Sequence, residues 1–269
     1  MLASASGNQL AARAFAALPR VVRLAALIDV AHVKEPIVLS WSGGKDSSLA
    51  LDALRRGERF EVVALLTSVT RTYDRIAIHG VRRPLLESQA RATGLPLFEI
   101  VLEAPTSNAE YEAAFQRAVT ELRARFPSLR HLAFGDLFLA DVRAYRERLV
   151  ADAGMVAVFP LWGMNTTALA HRFVNEGYRA HLVCVDTEQL DAQYAGHAFD
   201  AALLAALPPG VDRCGENDEF HTFVSDGPIF SAPVPIALGE FVLRDDRFAY
   251  RDLLPVSATP GTDESPGSA

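Results

Sequence analysis

The stretch Ile37–Leu51 constrains this chain most strongly, because a short apolar run passes through a turn of serines and glycines into an Ala/Leu-rich segment. That pattern predicts a strand, a tight loop and a helix. Glycine lets the backbone approach an anion closely, and the free N–H groups and dipole at a helix start favour negative charge. We therefore predict a phosphate-binding loop at Ser42–Ser48, in which Lys45 adds a full positive charge.

This loop differs from two commoner nucleotide-binding loops. A Walker-type loop needs Ser or Thr directly after its Gly-Lys pair and an earlier glycine, but here Asp46 follows Lys45 and Leu39 occupies the glycine position. The alternating glycines of a dinucleotide-binding fingerprint are absent. An acid inside a phosphate loop indicates a cation between the carboxylate and the phosphate. Mg²⁺, a hard cation that binds oxygen ligands, fits this position best. The alternative interpretation is an ordinary strand–turn–helix connection rich in small residues.

The composition is typical of a globular protein, since half of the 269 residues are apolar and 22% are charged. The net charge of -7 argues against broad nucleic-acid binding through a basic surface. Cys184 and Cys214 are the only cysteines, so we predict no disulfide framework, which fits a reducing cytosol. Neither a secretory signal nor a membrane-spanning run is recognisable. We therefore expect a cytoplasmic protein with no membrane or nucleic-acid partner.

The chain divides by pattern into four parts. Apolar positions at helical spacing predict an N-terminal helical extension over 1–35. Between 36 and 155, strands alternate with amphipathic helices, which predicts an α/β fold with a parallel sheet and helices on both faces. The segment 156–255 mixes helices with short strands and turns, and we predict a smaller α+β substrate domain there. Residues 256–269, rich in Pro, Gly, Ser and Thr, predict a disordered tail.

Several polar segments follow the predicted parallel strands directly. Ligands of open parallel sheets bind beyond the carboxyl ends of the strands. Besides the loop, the segments at this edge are Thr67-Ser68, the turn His79-Gly80, and Gly135-Asp136. We expect them to converge on one nucleotide pocket, in which Thr67-Ser68 and His79-Gly80 lie beside adenosine.

The order of several motifs resembles a known family. Ser42–Ser47 after a strand resembles the pyrophosphate loop (PP-loop) of the Rossmann-like adenine nucleotide alpha hydrolases, which cut ATP between the α and β phosphates. The later motifs resemble the diphthine–ammonia ligase family over about Pro36 to Leu254. Two departures are Asp218, where Gly is expected, and His197, where Arg is expected. The motifs that carry the second resemblance are Gly135-Asp136 with Arg146-Glu147-Arg148, Pro160-Leu161-Trp162-Gly163, and Gly215-Glu216-Asn217-Asp218-Glu219-Phe220-His221-Thr222-Phe223.

The resemblance implies an ATP-dependent amide ligase. A carboxylate attacks the α phosphate of ATP to give an acyl-adenylate and pyrophosphate, and ammonia then displaces AMP. In eukaryotic and archaeal members the carboxylate belongs to diphthine on translation elongation factor two, and the product is diphthamide. The bias of this chain toward Arg and Ala indicates a high-GC bacterial relative, whose acceptor could be another carboxylate, on a protein side chain or a small molecule.

The resemblance also implies roles for individual residues. Lys45 and Asp46 would act in catalysis together with Glu219 and His221, and Asp46 and Asp136 would hold Mg²⁺. The substrate side would use Arg146, Glu147, Trp162, Glu216, Asn217 and Thr222. ATP would be held by Ser40, Trp41, Ser42, Gly43, Gly44, Lys45, Asp46, Ser47, Ser48, Thr67, Ser68, His79, Gly80, Gly135 and Asp136.

Structural roles compete with several of these functional ones. Asp136 could be a solvated loop acid, His79 a surface or core histidine, and Trp162 a core residue. Arg146 and Glu147 could form a surface pair on a helix. At the level of the whole protein, the alternatives are a tRNA-modifying ATP pyrophosphatase and an ATP-binding sensor without chemistry. The acidic net charge weighs against the first, and the Lys-Asp pair favours chemistry over binding alone.

Overall fold

The computed structural model describes residues 34–71, 75–76 and 80–256. The predicted N-terminal extension and tail therefore lie outside the described residues, except for residues 34–35 and 256, and so does His79. Among the described residues, no helix combines the length and apolarity needed to cross a membrane. All further statements concern the described part of the chain.

The first half of the chain forms the predicted parallel sheet. Five parallel strands lie in the order β4-β2-β1-β5-β6, and the short β3 adds antiparallel to the end of β2. These strands are β1 (Glu35–Ser40), β2 (Phe60–Thr70), β3 (Arg75–Ile76), β4 (Leu97–Leu102), β5 (His131–Ala133) and β6 (Val156–Val158).

Six α-helices accompany the strands, and those of the first half cover the parallel sheet as predicted. They are α1 (Lys45–Arg56), α2 (Arg83–Thr93), α3 (Asn108–Arg125), α4 (Ala140–Asp152), α5 (Thr166–Asn175) and α6 (Ala201–Ala206). The helix ends follow local signals. Ser107 and Glu110 form a capping box at the start of α3, and Gly94 ends α2 in the left-handed conformation, with φ of 73°.

The strand order places a crevice beside the predicted phosphate loop. The chain moves from β1 outward to β2 and β4, and then returns to β5 on the other side of β1. The loops after β1 and β5 therefore leave the sheet in opposite directions, which is the topological switch point where ligands of such sheets bind. The loop Trp41–Gly44 and the Gly135-Asp136 segment lie at this point.

The second half forms an antiparallel sheet, as the α+β prediction requires. Its order is β8-β7-β10-β9, and the strands are β7 (Arg179–Asp186), β8 (Phe220–Asp226), β9 (Ile236–Arg244) and β10 (Phe248–Pro255). Strands were predicted within 156–255, and β9 and β10, with nine and eight residues, are longer than the short strands expected there. Their apolar residues do not alternate simply, since a register shift interrupts the pairing between Arg251 and Leu253.

One apolar core joins the two sheets. It contains Trp41 and Leu39 from the parallel sheet and Phe173, Phe220 and Phe223 from the second half, all of them buried. A separate core lies under α3 and α4 on the other face of the parallel sheet. The predicted domain boundary at 155/156 stays a prediction, and β6, which begins at Val156, still belongs to the parallel sheet.

The phosphate loop is tied directly to the second sheet. The N–H of Val224 in β8 donates to the carbonyl of Gly43 at 2.9 Å. The fully buried Gln89 of α2 donates from Nε2 to the carbonyls of Gly43 (3.0 Å) and Val224 (2.6 Å), and its Oε1 accepts from Trp41 Nε1 (3.0 Å). A single amide thus satisfies three groups that have no access to water.

We predict that Gln89→Leu lowers the free energy of unfolding by on the order of 3 kcal/mol, because it leaves one donor and two acceptors buried without this partner. Urea denaturation followed by circular dichroism measures the change. Gln193→Leu is the control, since Gln193 is exposed, and it should leave stability nearly unchanged. Equal losses in both variants would contradict the role assigned to Gln89.

Candidate active site

The loop between β1 and α1 has the conformation that its glycines allow. Gly43 has a φ of 77°, and a Cβ there would lie 2.7 Å from Gln89 Oε1 and 2.8 Å from Leu86. Gly135 brings the end of β5 against α1, since a Cβ there would lie 2.9 Å from the backbone carbon of Asp46. Both positions therefore need glycine, one for backbone conformation and one for close approach.

The loop borders a cavity of about 330 Å³ between the two halves of the molecule. Most residues predicted for catalysis and for phosphate contact line it. Phe134, Leu139 and Val142 add an apolar wall that the sequence interpretation missed. The predicted residues in the lining are Ser40, Ser42, Gly44, Lys45, Asp46, Ser47, Gly135, Asp136, Arg146, Glu216, His221 and Thr222.

A second cavity of about 450 Å³ adjoins the first. The two share Ser40, Ser42, Val142 and Arg146 in their linings. The second contains three more of the predicted ATP-binding residues, Trp41, Thr67 and Ser68. The two cavities together run along the carboxyl edge of the parallel strands.

The walls of the second cavity include residues that sequence reasoning missed. They are Leu102, Thr106, Ser107, Asn108, Tyr111, Tyr145 and Leu149. The loop after β4 ends at the same edge as the other polar segments, so the carboxyl-edge rule was the signal that could have found Thr106–Asn108. The hydroxyl of Thr67 is buried and has no hydrogen-bond partner among the described residues. Such a group is ready to bond a ligand.

Lys45 and Asp46 form an ion pair at the start of α1. Lys45 Nζ lies 2.9 Å and 2.7 Å from the two carboxylate oxygens of Asp46. Burial opposes the charge on Lys45 most strongly, but the groups around it, Asp46 first and then Cys214 and Glu216, together raise the pKa of Lys45 above its ordinary value. The ammonium is therefore charged at neutral pH although only 3% of its side chain is exposed.

Asp136 lies across the cavity and pairs with α4. Its carboxylate oxygen Oδ2 lies 2.8 Å from Arg146 Nε. Burial raises the pKa of Asp136 above its ordinary value, and Arg146 opposes that shift. The negative charge of Asp46 contributes in the same direction as burial, which indicates that the two predicted Mg²⁺ ligands interact electrostatically.

Glu216 enters the cavity from the loop before β8. Its Oε1 accepts a hydrogen bond from the N–H of Leu137 at 2.8 Å, so the second half of the chain contacts the segment after β5. Burial raises the pKa of Glu216 to about 7, and the charge of Asp46 adds to the effect. This carboxyl group can accept or release a proton near neutral pH.

His221 on β8 also lines the cavity, and burial followed by the charge of Lys45 lowers its pKa to about 4. Its imidazole is therefore neutral near pH 7. Asp218 Oδ1 lies 4.0 Å from His221 Nε2. Asp218 has a φ of 63°, in the left-handed region that favours glycine, so the glycine expected here from the resemblance has a conformational reason.

Glu219 and Asn217, two residues of this motif predicted for the site, line neither cavity. The buried Glu219 carboxylate accepts from the N–H groups of Asp212 (2.8 Å) and Asn217 (2.9 Å). It also accepts from Asn217 Nδ2 at 3.1 Å. These bonds close the loop from Asp212 to Glu219, so both residues contact the loop itself instead of the cavity.

Other predicted residues also lie away from the two cavities. Glu147 pairs with Arg143 one turn earlier on α4, and Trp162 packs edge-to-face on Phe159 while the Arg143 guanidinium lies 4.6 Å from its ring. Gly80 lines a third cavity with Tyr250. Gly43 and Ser48 belong to the loop but line neither cavity; Ser48 Oγ donates to the carbonyl of Gly44 at 3.0 Å.

The two carboxylates predicted to hold a metal, Asp46 and Asp136, both line the first cavity. Within the described ranges, no group of three or more His, Cys, Asp or Glu side chains is arranged to hold a metal ion. Mg²⁺ commonly binds proteins through one or two carboxylates together with substrate phosphates. The pair therefore fits Mg²⁺ that arrives with a nucleotide.

Comparisons with known proteins agree with the division of the site between two halves. The diphthamide synthase N-terminal domain matches residues 35–157, and the diphthamide synthase C-terminal domain matches residues 165–247. A diphthine–ammonia ligase from Danio rerio is 26% identical over 227 residues, which cover 77% of this chain and 89% of that protein.

We predict that Glu216→Gln changes the pH dependence of stability. The folded-state pKa of Glu216 is about 7, above the ordinary 4.5. Between these two pH values the native protein therefore binds more protons than the unfolded chain. Glu216 consequently lowers the free energy of unfolding as pH rises through this range. Relative to the unmodified chain, Glu216→Gln should gain about 1 kcal/mol between about pH 5 and pH 8, a figure that allows for solvent screening.

Chemical denaturation at several pH values measures this gain. Glu121→Gln on the exposed face of α3 is the matched control and should track the unmodified chain at every pH. A Glu216→Gln curve parallel to that of the unmodified chain would contradict the raised pKa.

Proposed function

Since the matched segments together span most of the chain, the protein belongs to the diphthamide synthase family, and we propose that it is an ATP-dependent, AMP-forming amide ligase. The proposed reaction adenylates a carboxylate and then replaces AMP with ammonia. The observation that carries the proposal is one cavity in which Lys45 and Asp46 from the phosphate loop face Glu216 and His221 from the second half.

The adjoining cavities match the two parts of ATP. We propose that the adenosine binds in the larger one, beside Trp41, Thr67 and Ser68, where the Thr67 hydroxyl has no hydrogen-bond partner within the described part of the chain. The phosphates would then lie at Ser42–Ser48, at the start of α1, where helix N–H groups and the helix dipole favour anions. The shared residues Ser40, Ser42 and Arg146 would lie near the α phosphate.

Lys45 is the group proposed to stabilise the transition state. Its buried ammonium can bond the phosphate oxygen on which charge develops as pyrophosphate leaves. This ammonium also bonds Asp46 at 2.7 Å, so a bound phosphate oxygen would share it with that carboxylate. Asp46 and Asp136 would hold Mg²⁺, which when bound neutralises part of the phosphate charge.

Glu216 is the group proposed to act on the ammonia side. With a pKa of about 7 it can take a proton from ammonium or from the attacking amine, and its position in the cavity favours it over Glu219, which bonds its own loop. His221 would be neutral and able to donate or accept a hydrogen bond. The previous prediction that Glu219 is catalytic stays untested, and we propose that it positions Glu216.

The acceptor is proposed to be a carboxylate on a protein side chain or a small molecule. The relative from Danio rerio is named for diphthine and ammonia. In this chain Asp218 adds a carboxylate to the cavity lining at the position where the resemblance leads us to expect glycine. Acceptors that carry a positive charge near the reacting carboxylate would suit that lining.

We predict that incubation with ATP, Mg²⁺, ammonium and candidate acids yields AMP and pyrophosphate, measured by chromatography and pyrophosphate release. Lys45→Gln should lower the rate by about 100-fold or more, because one preorganised donor to the transition state is lost. Lys34→Gln, which removes the only other lysine, should retain the full rate. Release of ADP, or tight binding of ATP that is recovered unreacted, would contradict the proposal.

We predict that Thr67→Val weakens ATP binding by about tenfold and leaves the free energy of unfolding nearly unchanged. The hydroxyl has no protein partner to lose, so only a ligand would miss it. Isothermal titration calorimetry with ATP measures the first effect and thermal denaturation the second. Thr120→Val is the control, since Thr120 Oγ1 bonds the Gln116 carbonyl on the exposed side of α3. Unchanged ATP affinity in Thr67→Val would place the nucleotide elsewhere.

A further inference from the structure

Among the described residues, β9 is an unpaired and unusually apolar edge of the second sheet. Within the described part of the chain it pairs only with β10, so the other side of its backbone has no strand partner. Four of its large apolar side chains are exposed, namely Leu238 (51%), Phe241 (46%), Val242 (37%) and Leu243 (49%). Long apolar edges tend to pair with another chain, and natural proteins normally protect them.

The charges on β9 are arranged symmetrically. Glu240 and Arg244 lie two residues before and two residues after Val242. These three side chains share one face of the strand, because they line the same cavity beside Tyr250. Phe241 and Leu243 pair with Arg251 and Ala249 of β10, on the opposite face.

This symmetry makes β9 complementary to a copy of itself. If two β9 strands pair antiparallel about a two-fold axis at Val242, each Glu240 lies opposite the Arg244 of the other copy. Phe241 of each copy lies opposite Leu243 of the other. The ladder over 240–244 then contains two opposite-charge pairs, two apolar pairs and a central Val242 pair, each of a kind that stabilises cross-strand contacts.

We propose that two copies of this chain associate through β9, joining their antiparallel sheets into one eight-stranded sheet. The register shift opposite Asp252 ends the regular ladder at Glu240, because two β9 residues there face one residue of β10. At the other end Asp245 and Asp246, with φ of 52° and 49°, turn the chain away. The pairing is therefore limited to one register. Glu240 and Arg244, which have opposite charges and lie equally far from Val242, select that register.

The charges argue for a second copy over a strand of another chain. Edge charges of a single sign would repel a copy of the same strand and act as protection. Here the two charges have opposite signs, so antiparallel self-pairing makes them attractive. Glu240 also lies within electrostatic reach of Arg82, so its charge is not isolated in the single chain. The proposal is independent of the ligase activity, and ATP is not needed for its test.

Sedimentation velocity of the full chain over about 1–100 μM tests the proposal, and we expect a reversible dimer. Glu240→Arg or Arg244→Glu alone places like charges opposite each other at two positions, and each should weaken dimerisation by about tenfold or more. The double variant Glu240→Arg/Arg244→Glu restores both opposite-charge pairs and should return the dimer to near its original affinity. Val242→Lys places two ammonium groups at the axis and should leave the chain monomeric.

Glu121→Arg and Arg125→Glu on the exposed face of α3 are the controls, because each makes the same change in net charge away from β9. They should leave the dimer unchanged. Circular dichroism confirms that each variant is folded. A monomer at all concentrations would overturn the proposal, as would a dimer that the single reversals do not weaken or that the folded double variant fails to restore.

Discussion

The attachment of β8 to the phosphate loop is the constraint on which the rest of this molecule depends. Val224 bonds Gly43, Thr222 Oγ1 accepts from the N–H of Lys45 at 3.0 Å, and Gln89 bonds both Gly43 and Val224. These contacts hold a loop of the parallel sheet against a strand of the antiparallel sheet. They are buried, so each would be costly to break in the absence of water. The cavity exists because this contact brings the two halves together.

The charges of the cavity follow from the same contact. Each basic side chain in the lining has an acid beside it, Lys45 with Asp46 and Arg146 with Asp136, so the charge of each pair is internally balanced. For Glu216 and His221 burial is the first cause of the pKa shift: it raises the pKa of Glu216 and lowers that of His221, and in each case it favours the neutral form. The second half thus supplies groups that are neutral or able to titrate near pH 7.

A larger share of the residues predicted for the nucleotide than of those predicted for the acceptor lines the two cavities. The loop residues and Gly135-Asp136 were identified because both follow parallel strands, and the carboxyl ends of such strands converge for topological reasons. In the segment 215–222 polar residues alternate between cavity and loop interior. Glu216 and His221 line the cavity, whereas Glu219 closes the loop, and nothing in their order along the chain distinguishes these roles. Trp162 and Glu147 also lie away from the cavity, and the sequence around them does not distinguish them from residues that line it.

The sequence by itself determined the parallel sheet, the phosphate loop and the family resemblance, because these depend on local patterns: apolar runs, glycines at a helix start, and motif order. Only the tertiary structure decided which acids face the cavity and, for the residues that it describes, that the Thr67 hydroxyl has no hydrogen-bond partner and that β9 forms an open edge. Those features arise from contacts between residues far apart in the chain, such as Leu137 with Glu216. The pKa values of the cavity acids and the exposure of the β9 side chains depend on tertiary burial, which no single segment of the sequence specifies.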